Sequence, residues 1–308
     1  MLFQIGIGDR HVLYSLDAGG TKTYAAVMDH DKNILFSVKN GQGNVAVDRE
    51  ETQHNIMDAI KVCMNSEYGS KCEFIVLGVA GIEKGNSKLE FKQLVEEQFQ
   101  IPTFVLNDAE LALYSVLGDE NGILAIAGTG SVFIGKNKST IKIIGGWGHL
   151  LGDEGSSYDI GIQALKRLIS EIEQGSIQKE FATSLAGEYQ LWTPSAIKDF
   201  VYSSTKKEIA ELSLFVHQLA KNKDIDAIRL LENAGYEIAQ QVIRLTKLLR
   251  LEPPITIVLK GGLLEKNEFI QKYVEIKLKE FSTDMSLLFR NTPAVTGSLY
   301  AWKSQIGG

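Results

Sequence analysis

The sequence predicts an α/β protein of two lobes that share one topology, each with the element order β-β-β-α-β-α-β-α. Near the start, three strand-like runs precede alternating helical and strand-like segments, and the same order begins again at Gly122. The two halves show no obvious sequence identity, so the repeat is one of structure. A chain of 308 residues is long enough for two domains with substantial cores.

The elements of the first half follow from hydrophobic periodicity. Ile56, Ile60 and Cys63 recur at helical spacing, whereas the flanking apolar runs are short and rich in β-branched residues, as strands are. The predicted elements are strands at 12–16, 24–28 and 34–38, a helix at 50–64, a strand at 74–79, a helix at 87–99 and a strand at 103–106.

The second half repeats this order around a long helical region. Two prolines at 253–254 end that region before the next strand, because proline cannot continue a helix. The predicted elements are strands at 122–127, 131–134 and 140–144, helical structure at 157–251, a strand at 255–259, a helix at 266–281, a strand at 285–289 and a helix at 294–304.

These elements divide the chain into two lobes. We expect the first lobe to span residues 1–107, completed by the C-terminal helix at 293–308, and the second to span 108–292 with a helical insertion. Two α/β lobes predict a cleft between them, which is where ligands usually bind.

Composition limits the possible partners. A net charge of −6 without a long basic run argues against nucleic acid or an anionic membrane as the main partner. No apolar stretch approaches the roughly 18 residues of a membrane span, and the early apolar stretch lacks the features of a signal peptide. Two cysteines and five histidines without metal-ligand spacing predict free thiols and no structural metal site. A cytoplasmic location is therefore expected.

The segment from Asp17 to Thr23 has the character of a phosphate-binding hairpin. Gly19 and Gly20 permit a tight turn whose N–H groups can approach a ligand, and Thr21, Lys22 and Thr23 add donors. A carboxylate at the tip of a buried strand suits Mg²⁺, which makes Asp17 the candidate metal ligand. The alternative is an ordinary hairpin with a capping aspartate.

Two further glycine turns stand at matching places in the second copy. Thr129, Gly130 and Ser131 occupy the position that the first turn has in the first copy. Gly261 and Gly262 follow a strand and precede a helix, where small residues let an adenosine lie close to the backbone. Each turn alone could be structural; together they predict a nucleotide site.

Asp108 is the candidate catalytic residue. It follows a predicted strand and begins a helix, so it is either a helix cap or a rigidly held carboxylate at the mouth of the cleft. Phosphoryl transfer to an alcohol uses a base near the attacking hydroxyl, and an aspartate on a strand tip can serve. The neighbouring glycine turns favour the catalytic interpretation.

The glycine-rich loop at 145–157 is a plausible ligand loop because five glycines flank polar and aromatic side chains. Trp147 could stack on a sugar or fill the junction between lobes, and Asp153 could bind sugar hydroxyls or cap the next helix. Asn44 suits a hydroxyl or acetamido group, or a turn. The predicted sugar-binding residues are Asn44, Gly81, Asp108, Gly146, Trp147, Gly148 and Asp153.

These motifs resemble those of the actin/hexokinase/heat-shock ATPase superfamily, whose lobes are actin-like, or ribonuclease H-like. The run Gly145-Gly146-Trp147-Gly148-His149, continued by Gly152 to Ser156, is similar to the N-acetylglucosamine kinase branch of the BadF/BadG/BcrA/BcrD ATPase family. The resemblance implies transfer of phosphate from ATP to the 6-hydroxyl of an amino sugar, with Mg²⁺ as cofactor and a homodimer as the assembly. Asp108 would be the general base and Asp17 the Mg²⁺ ligand.

Two alternatives stay open at the level of sequence. The sugar could be N-acetylmuramic acid or glucosamine instead of N-acetylglucosamine, because the shape of the pocket is not readable from the sequence. Some relatives instead activate radical dehydratases through an iron–sulfur cluster, which requires well-placed cysteines. Cys63 and Cys72 lie outside the glycine turns, which speaks against that role.

Overall fold

The computed structural model describes residues 11–83 and 85–306, so the extension Met1–Arg10 lies outside the described residues. By their contacts these residues form two compact units. Unit 1 runs to Glu120 and resumes at Thr292, and unit 2 is the continuous segment Asn121–Asn291. No helix of the described part of the chain is both long and apolar enough to cross a membrane.

Unit 1 contains a five-stranded mixed sheet in the order β3-β2-β1-β4-β5. β1 pairs with β2 antiparallel and with β4 parallel, which puts Asp17 beside Gly78. β4 pairs with β5 parallel, which puts Val79 beside Asn107. The strands are β1 (Val12–Ala18), β2 (Thr23–Asp29), β3 (Ile34–Asn40), β4 (Cys72–Val79) and β5 (Thr103–Asn107).

Four helices complete the described part of unit 1. One face of the sheet packs on α1 through fully buried residues such as Leu16, Ile56 and Ile60. Asp48 caps α1 by accepting a hydrogen bond from the Glu51 N–H, a contact usually worth about 1 kcal/mol. The helices are α1 (Arg49–Met64), α2 (Ser87–Phe99), α3 (Asp108–Leu117) and α11 (Ser298–Ile306), with short 3-10 helices at Gly69–Lys71 and Ala294–Gly297.

Unit 2 contains a second five-stranded sheet in the order β10-β9-β6-β7-β8. Read from its antiparallel edge, this order is the same as in unit 1, since β6, β7 and β8 replace β1, β2 and β3. β6 pairs with β9 parallel, so Ile126 lies beside Lys260. The strands are β6 (Gly122–Ala127), β7 (Ser131–Asn137), β8 (Thr140–Gly145), β9 (Ile255–Lys260) and β10 (Met285–Phe289).

The helical region of unit 2 is divided into five helices. The divisions follow local signals: Gly175 has a φ of +96°, and Pro194 occupies the first turn of its helix after the capping Thr193. The helices of the unit are α4 (Ser157–Glu173), α5 (Glu180–Tyr189), α6 (Pro194–Ser203), α7 (Lys206–Lys221), α8 (Ile225–Leu249), α9 (Gly262–Lys266) and α10 (Glu268–Phe281).

The predicted two-lobe α/β fold with a repeated strand order is confirmed. The contact boundary falls after α3, at Glu120–Asn121, whereas the sequence prediction put the boundary before this helix, at residue 107. α3 belongs to unit 1 because it packs on β4 and on the 3-10 helix at Ala294–Gly297. Gly297 has no side chain where α3 passes, and a Cβ there would lie 2.3 Å from the Leu111 carbonyl oxygen.

Candidate active site

The glycine turn of unit 1 connects β1 to β2. The Gly19 N–H donates to the Lys22 carbonyl oxygen at 3.0 Å, and the Gly43 N–H donates to the Gly19 carbonyl oxygen at 2.8 Å. Gly20, Thr21 and Lys22 are exposed at the tip. The turn is thus held by its own backbone and by the loop after β3, and it presents its outer residues to solvent.

Thr23 is placed differently from the prediction. Its side chain is fully buried, and its hydroxyl has no hydrogen-bond partner among the described residues. A Cβ on Gly43 would lie 2.7 Å from this hydroxyl, so the loop after β3 covers it. Because Thr23 is fully buried under this loop, its hydroxyl does not face a phosphate that binds from solvent.

Asp108 lies at the carboxyl end of β5 as the first residue of α3. The capping role belongs to Asn107, whose side chain accepts from the Ala109 N–H at 2.7 Å, while Glu110 accepts from the Asn107 N–H. This capping box accounts for the helix start without Asp108. The helix-capping role, which was the alternative for Asp108, therefore belongs to Asn107.

The carboxyl group of Asp108 is half-buried and lies close to other carboxylates. Burial raises its pKa to about 6, and repulsion from Asp17 and Glu83 adds to the effect. A hydrogen bond from the Ala109 N–H partly opposes the rise. Asp108 is thus mostly ionised at neutral pH yet more basic than an ordinary aspartate, which suits a general base.

Asp17 satisfies the requirements of a Mg²⁺ ligand. It is half-buried near the end of β1, and its charge contributes to the raised pKa of Asp108. A hard divalent cation prefers carboxylate oxygens, and it would relieve the repulsion between these two carboxyl groups. Asp17 is the residue that would hold the metal, whose chemistry would be to neutralise phosphate charge.

Asn44 and Gly81 lie together beside the same turn. Asn44 forms an isolated parallel bridge with Ala80, and its side-chain oxygen accepts from the Ala46 N–H at 2.9 Å. Gly81 has a φ of +70°, and a Cβ there would lie 2.5 Å from the Asn44 oxygen. The amide nitrogen of Asn44 lies 4.0 Å from where a Gly20 Cβ would be. Unit 1 thus brings together Asp17, Asn44, Gly81, Asp108 and the turn.

Glu83 is a candidate site residue that the sequence interpretation missed. Its carboxylate accepts a hydrogen bond from the side-chain amide of Asn107 and contributes to the raised pKa of Asp108. Its position two residues after Gly81, directly beyond a buried strand, was the available signal. Two carboxylates, Asp17 and Glu83, therefore act on the pKa of Asp108.

The glycine turn of unit 2 connects β6 to β7 and is attached to α4. The Gly128 N–H donates to the Gly130 carbonyl oxygen at 2.9 Å. At the start of α4, the Ser157 N–H donates to the Gly128 carbonyl oxygen at 2.8 Å and the Tyr158 N–H to the Thr129 carbonyl oxygen at 3.4 Å. The first N–H groups of a helix otherwise lack partners, so α4 and the turn satisfy each other.

Asp153 and Ser131 form the support of this turn. Asp153 is 3% exposed and accepts from the Ser131 N–H at 3.0 Å and from the Lys206 ammonium at 2.6 Å. The Ser131 hydroxyl donates to the Glu154 carbonyl oxygen at 2.9 Å. Both side chains were predicted as direct ligand contacts, Asp153 for sugar and Ser131 for nucleotide. Burial and internal partners make both of them supports of the turn instead.

The glycine-rich loop after β8 lies against the same turn. The Gly146 N–H donates to the Ser131 carbonyl oxygen at 3.0 Å, and Gly146 and Gly148 have φ values of +72° and +80°. Trp147 between them is 73% exposed. Such exposure fits a side chain that meets a ligand better than one that fills a core. The remaining predicted sugar contacts of unit 2 are thus available on the surface of that unit.

Gly261 and Gly262 lie next to this turn because β6 and β9 are parallel neighbours. Gly261 has a φ of +103°, and a Cβ there would lie 2.4 Å from the Ala127 carbonyl oxygen. Gly262 is exposed, and a Cβ on it would meet no atom within 4 Å. Unit 2 therefore places two of the three predicted glycine turns side by side.

The two cysteines are free, as predicted. Burial raises the pKa of the Cys63 thiol and of the Cys72 thiol to about 12. Iron–sulfur clusters are held by thiolates, and these two groups strongly favour the neutral thiol.

Two known kinases are similar to this chain over most of its length. A kinase named for N-acetylmuramic acid and N-acetylglucosamine, from Clostridium acetobutylicum, is 27% identical over 263 residues that cover 83% of this chain and 86% of the relative. An N-acetyl-D-glucosamine kinase from Dictyostelium discoideum is 27% identical over 323 residues that cover 96% and 99%, respectively.

A solved structure and a family model extend this result to the whole fold. A candidate N-acetylglucosamine kinase from Chromobacterium violaceum matches with a TM-score of 0.71 at 19% identity, covering 94% of this chain and 98% of that one. At that identity the match speaks for the fold, which is actin-like as the motifs predicted. The BadF/BadG/BcrA/BcrD ATPase family model matches residues 16–301. This chain belongs to the BadF/BadG/BcrA/BcrD ATPase family.

Proposed function

We propose that this protein is an ATP-dependent amino-sugar kinase that transfers the γ-phosphoryl group to the 6-hydroxyl of N-acetylglucosamine or a close relative. The observation that carries the proposal is Asp108, a half-buried carboxylate with a pKa raised to about 6 at the end of β5. It lies in the same unit as an exposed glycine turn, within a chain of an ATPase family. The two named relatives supply the class of acceptor.

Each unit has its own part in the proposed reaction. In unit 1, a carboxylate oxygen of Asp108 accepts the proton of the sugar 6-hydroxyl. At the same time the sugar oxygen forms a bond to the γ-phosphorus, and the bond between that phosphorus and the leaving ADP oxygen breaks. Asp17 holds Mg²⁺, and Asn44 and Gly81 bind the sugar. Gly19 and the exposed residues Gly20, Thr21 and Lys22 bind phosphate.

In unit 2, the turn at Thr129 and Gly130 binds phosphate, and Gly261 and Gly262 lie against adenosine. Gly146, Trp147 and Gly148 contribute to sugar binding. A homodimer remains a prediction from the family resemblance, and a cytoplasmic location remains a prediction from the composition of the chain. Light scattering coupled to size-exclusion chromatography tests the homodimer.

The proposal is tested by assaying phosphorylation of N-acetylglucosamine, N-acetylmuramic acid, glucosamine and glucose, each with a no-sugar blank and with Mg²⁺ added or chelated. We expect Mg²⁺-dependent ADP formation well above the blank with an N-acetylated sugar, together with a sugar 6-phosphate product identified by NMR. ADP formation equal to the blank with all four sugars would contradict the proposal.

A further inference from the structure

A buried charge lies directly under the phosphate turn of unit 2. The Asp153 side chain is 4% exposed, and one of its carboxylate oxygens accepts the Ser131 N–H at 3.0 Å. A Cβ added to Gly130 would lie 2.7 Å from the same oxygen. A turn proposed to bind a polyphosphate is therefore in contact with a negative group, which would repel that ligand if its charge were not compensated.

The compensating charge comes from Lys206, which is 53 residues away in sequence and is the first residue of α7. Its ammonium lies 2.6 Å from the second carboxylate oxygen of Asp153, and its side chain is only 33% exposed. A capping box between Thr205 and Glu208 fixes the start of α7 and therefore the backbone of Lys206.

Close packing of α7 on α4 brings Lys206 to this position. Gly161 of α4 faces α7, and a Cβ there would lie 2.2 Å from the Ile209 carbonyl oxygen. Only a residue without a side chain lets the two helices approach to this distance. The same α4 donates its first N–H groups to the Gly128–Ser131 turn, so α4, α7 and the turn form one packed assembly within unit 2.

We propose that Lys206 is a positioning residue for nucleotide binding, which neutralises Asp153 and holds its carboxylate on the Ser131 N–H. The helical insertion of unit 2 thereby sets the electrostatic character of the phosphate turn. This inference rests on the proposed function only in taking the ligand of the turn to be ATP; it does not depend on which sugar is the acceptor.

A double-mutant cycle tests the inference by calorimetric titration of the full-length protein with MgATP in the absence of sugar. Lys206→Met should weaken MgATP binding by about tenfold, a size usual for coupled charged neighbours. In an Asp153→Asn background the same change should alter affinity by less than about twofold, because the charge that Lys206 neutralises is gone. Lys207→Met is the matched control, since Lys207 is 81% exposed and lies next to Lys206.

Each outcome of the cycle has a defined meaning. Wild-type affinity in Lys206→Met, or an equal loss in both backgrounds, overturns the proposal. If Lys206→Met does not fold, Asp153→Asn and the Asp153→Asn/Lys206→Met double variant decide the matter, because the proposal requires equal MgATP affinity in these two proteins. Absence of MgATP binding by the wild type would instead contradict the proposed kinase function.

Discussion

The glycine turns of the two units occupy the same place in the same sheet topology, yet their surroundings are opposite in character. The turn of unit 1 is closed by its own backbone and has the carboxylates of Asp17 and Asp108 near it in that unit. The turn of unit 2 is attached to the start of α4 and rests on Asp153, whose charge is paired with Lys206.

This difference shows that a repeated fold does not imply repeated chemistry. In unit 1 burial and the charges of Asp17 and Glu83 raise the pKa of Asp108, which costs stability and makes this carboxylate more basic. In unit 2 the Asp153 carboxylate under the turn is paired with Lys206, and it also accepts a hydrogen bond from the Ser131 backbone. A carboxylate of raised pKa thus lies near the turn of unit 1, whereas a carboxylate paired with a lysine supports the turn of unit 2.

The largest effect is expected from Asp108→Asn, which removes the base of unit 1 and keeps its shape. Sugar phosphorylation should fall by roughly 10²–10⁴, the usual contribution of a positioned acid–base group. Thermal unfolding should show a free energy of unfolding that is higher by up to about 2 kcal/mol at neutral pH, because an ionised group with a raised pKa is removed. The folded-state pKa lies above the ordinary value of 3.8, so stability from Asp108 is lost as pH rises from about 4 to about 6.

The matched change in unit 2 is Asp153→Asn, which should not show this combination. Because Asp153 is neutralised by Lys206, the asparagine variant leaves that lysine without its partner and should be no more stable than the wild type. Wild-type turnover in Asp108→Asn would remove the general-base role. If Asp153→Asn were clearly more stable than the wild type, the carboxylates of the two units would not differ in their effect on stability.

An intermediate effect is expected when alanine replaces a glycine in each turn. A Cβ at Gly130 would lie 2.7 Å from an Asp153 oxygen that is held on two sides, so Gly130→Ala should cost about 1 to 3 kcal/mol of unfolding free energy. A Cβ at Gly20 would meet nothing closer than 4.0 Å, so Gly20→Ala should cost less than about 0.5 kcal/mol. Denaturant unfolding of both variants measures the difference, and equal costs would show that the two turns are equally constrained.

The smallest effect is expected from Glu83→Gln on the pH dependence of turnover. Activity should decline below about pH 6 as Asp108 is protonated and can no longer accept the sugar proton. Glu83 is a lesser cause of the raised pKa, so Glu83→Gln should move this acid limb to lower pH by a few tenths of a unit. A shift to higher pH in the kcat/KM profile would have the wrong sign for electrostatic repulsion.

Local patterns were sufficient for most of the fold. Strand runs and the restart at Gly122 gave elements close to those observed, because each depends on neighbours in the sequence. The division of the helical region and the place of α3 were less visible. α3 joins unit 1 through contacts with the 3-10 helix at Ala294–Gly297, far away in the sequence, which no local pattern records.

The places of candidate residues at strand ends could be predicted from the sequence. The burial of a side chain could not, because it depends on packing between distant segments. The structure brings Asp17, Asn44, Gly81 and Asp108 together in unit 1, and the roles assigned to them stay predictions. Thr23 and Asp153 have suitable side chains in suitable motifs, but both are enclosed. Lys206 gave no signal, because its partner is reached only through helix packing.

The return of the chain to unit 1 after unit 2 has a consequence for biosynthesis. Unit 2 is one uninterrupted segment, whereas unit 1 needs the last part of the chain, where Trp302 stacks on Phe74 with ring centroids 4.2 Å apart. During translation, the second unit has all of its residues before the first unit has received its closing helix. The unit that is begun first is therefore completed second, because α11 is synthesised after the whole of unit 2.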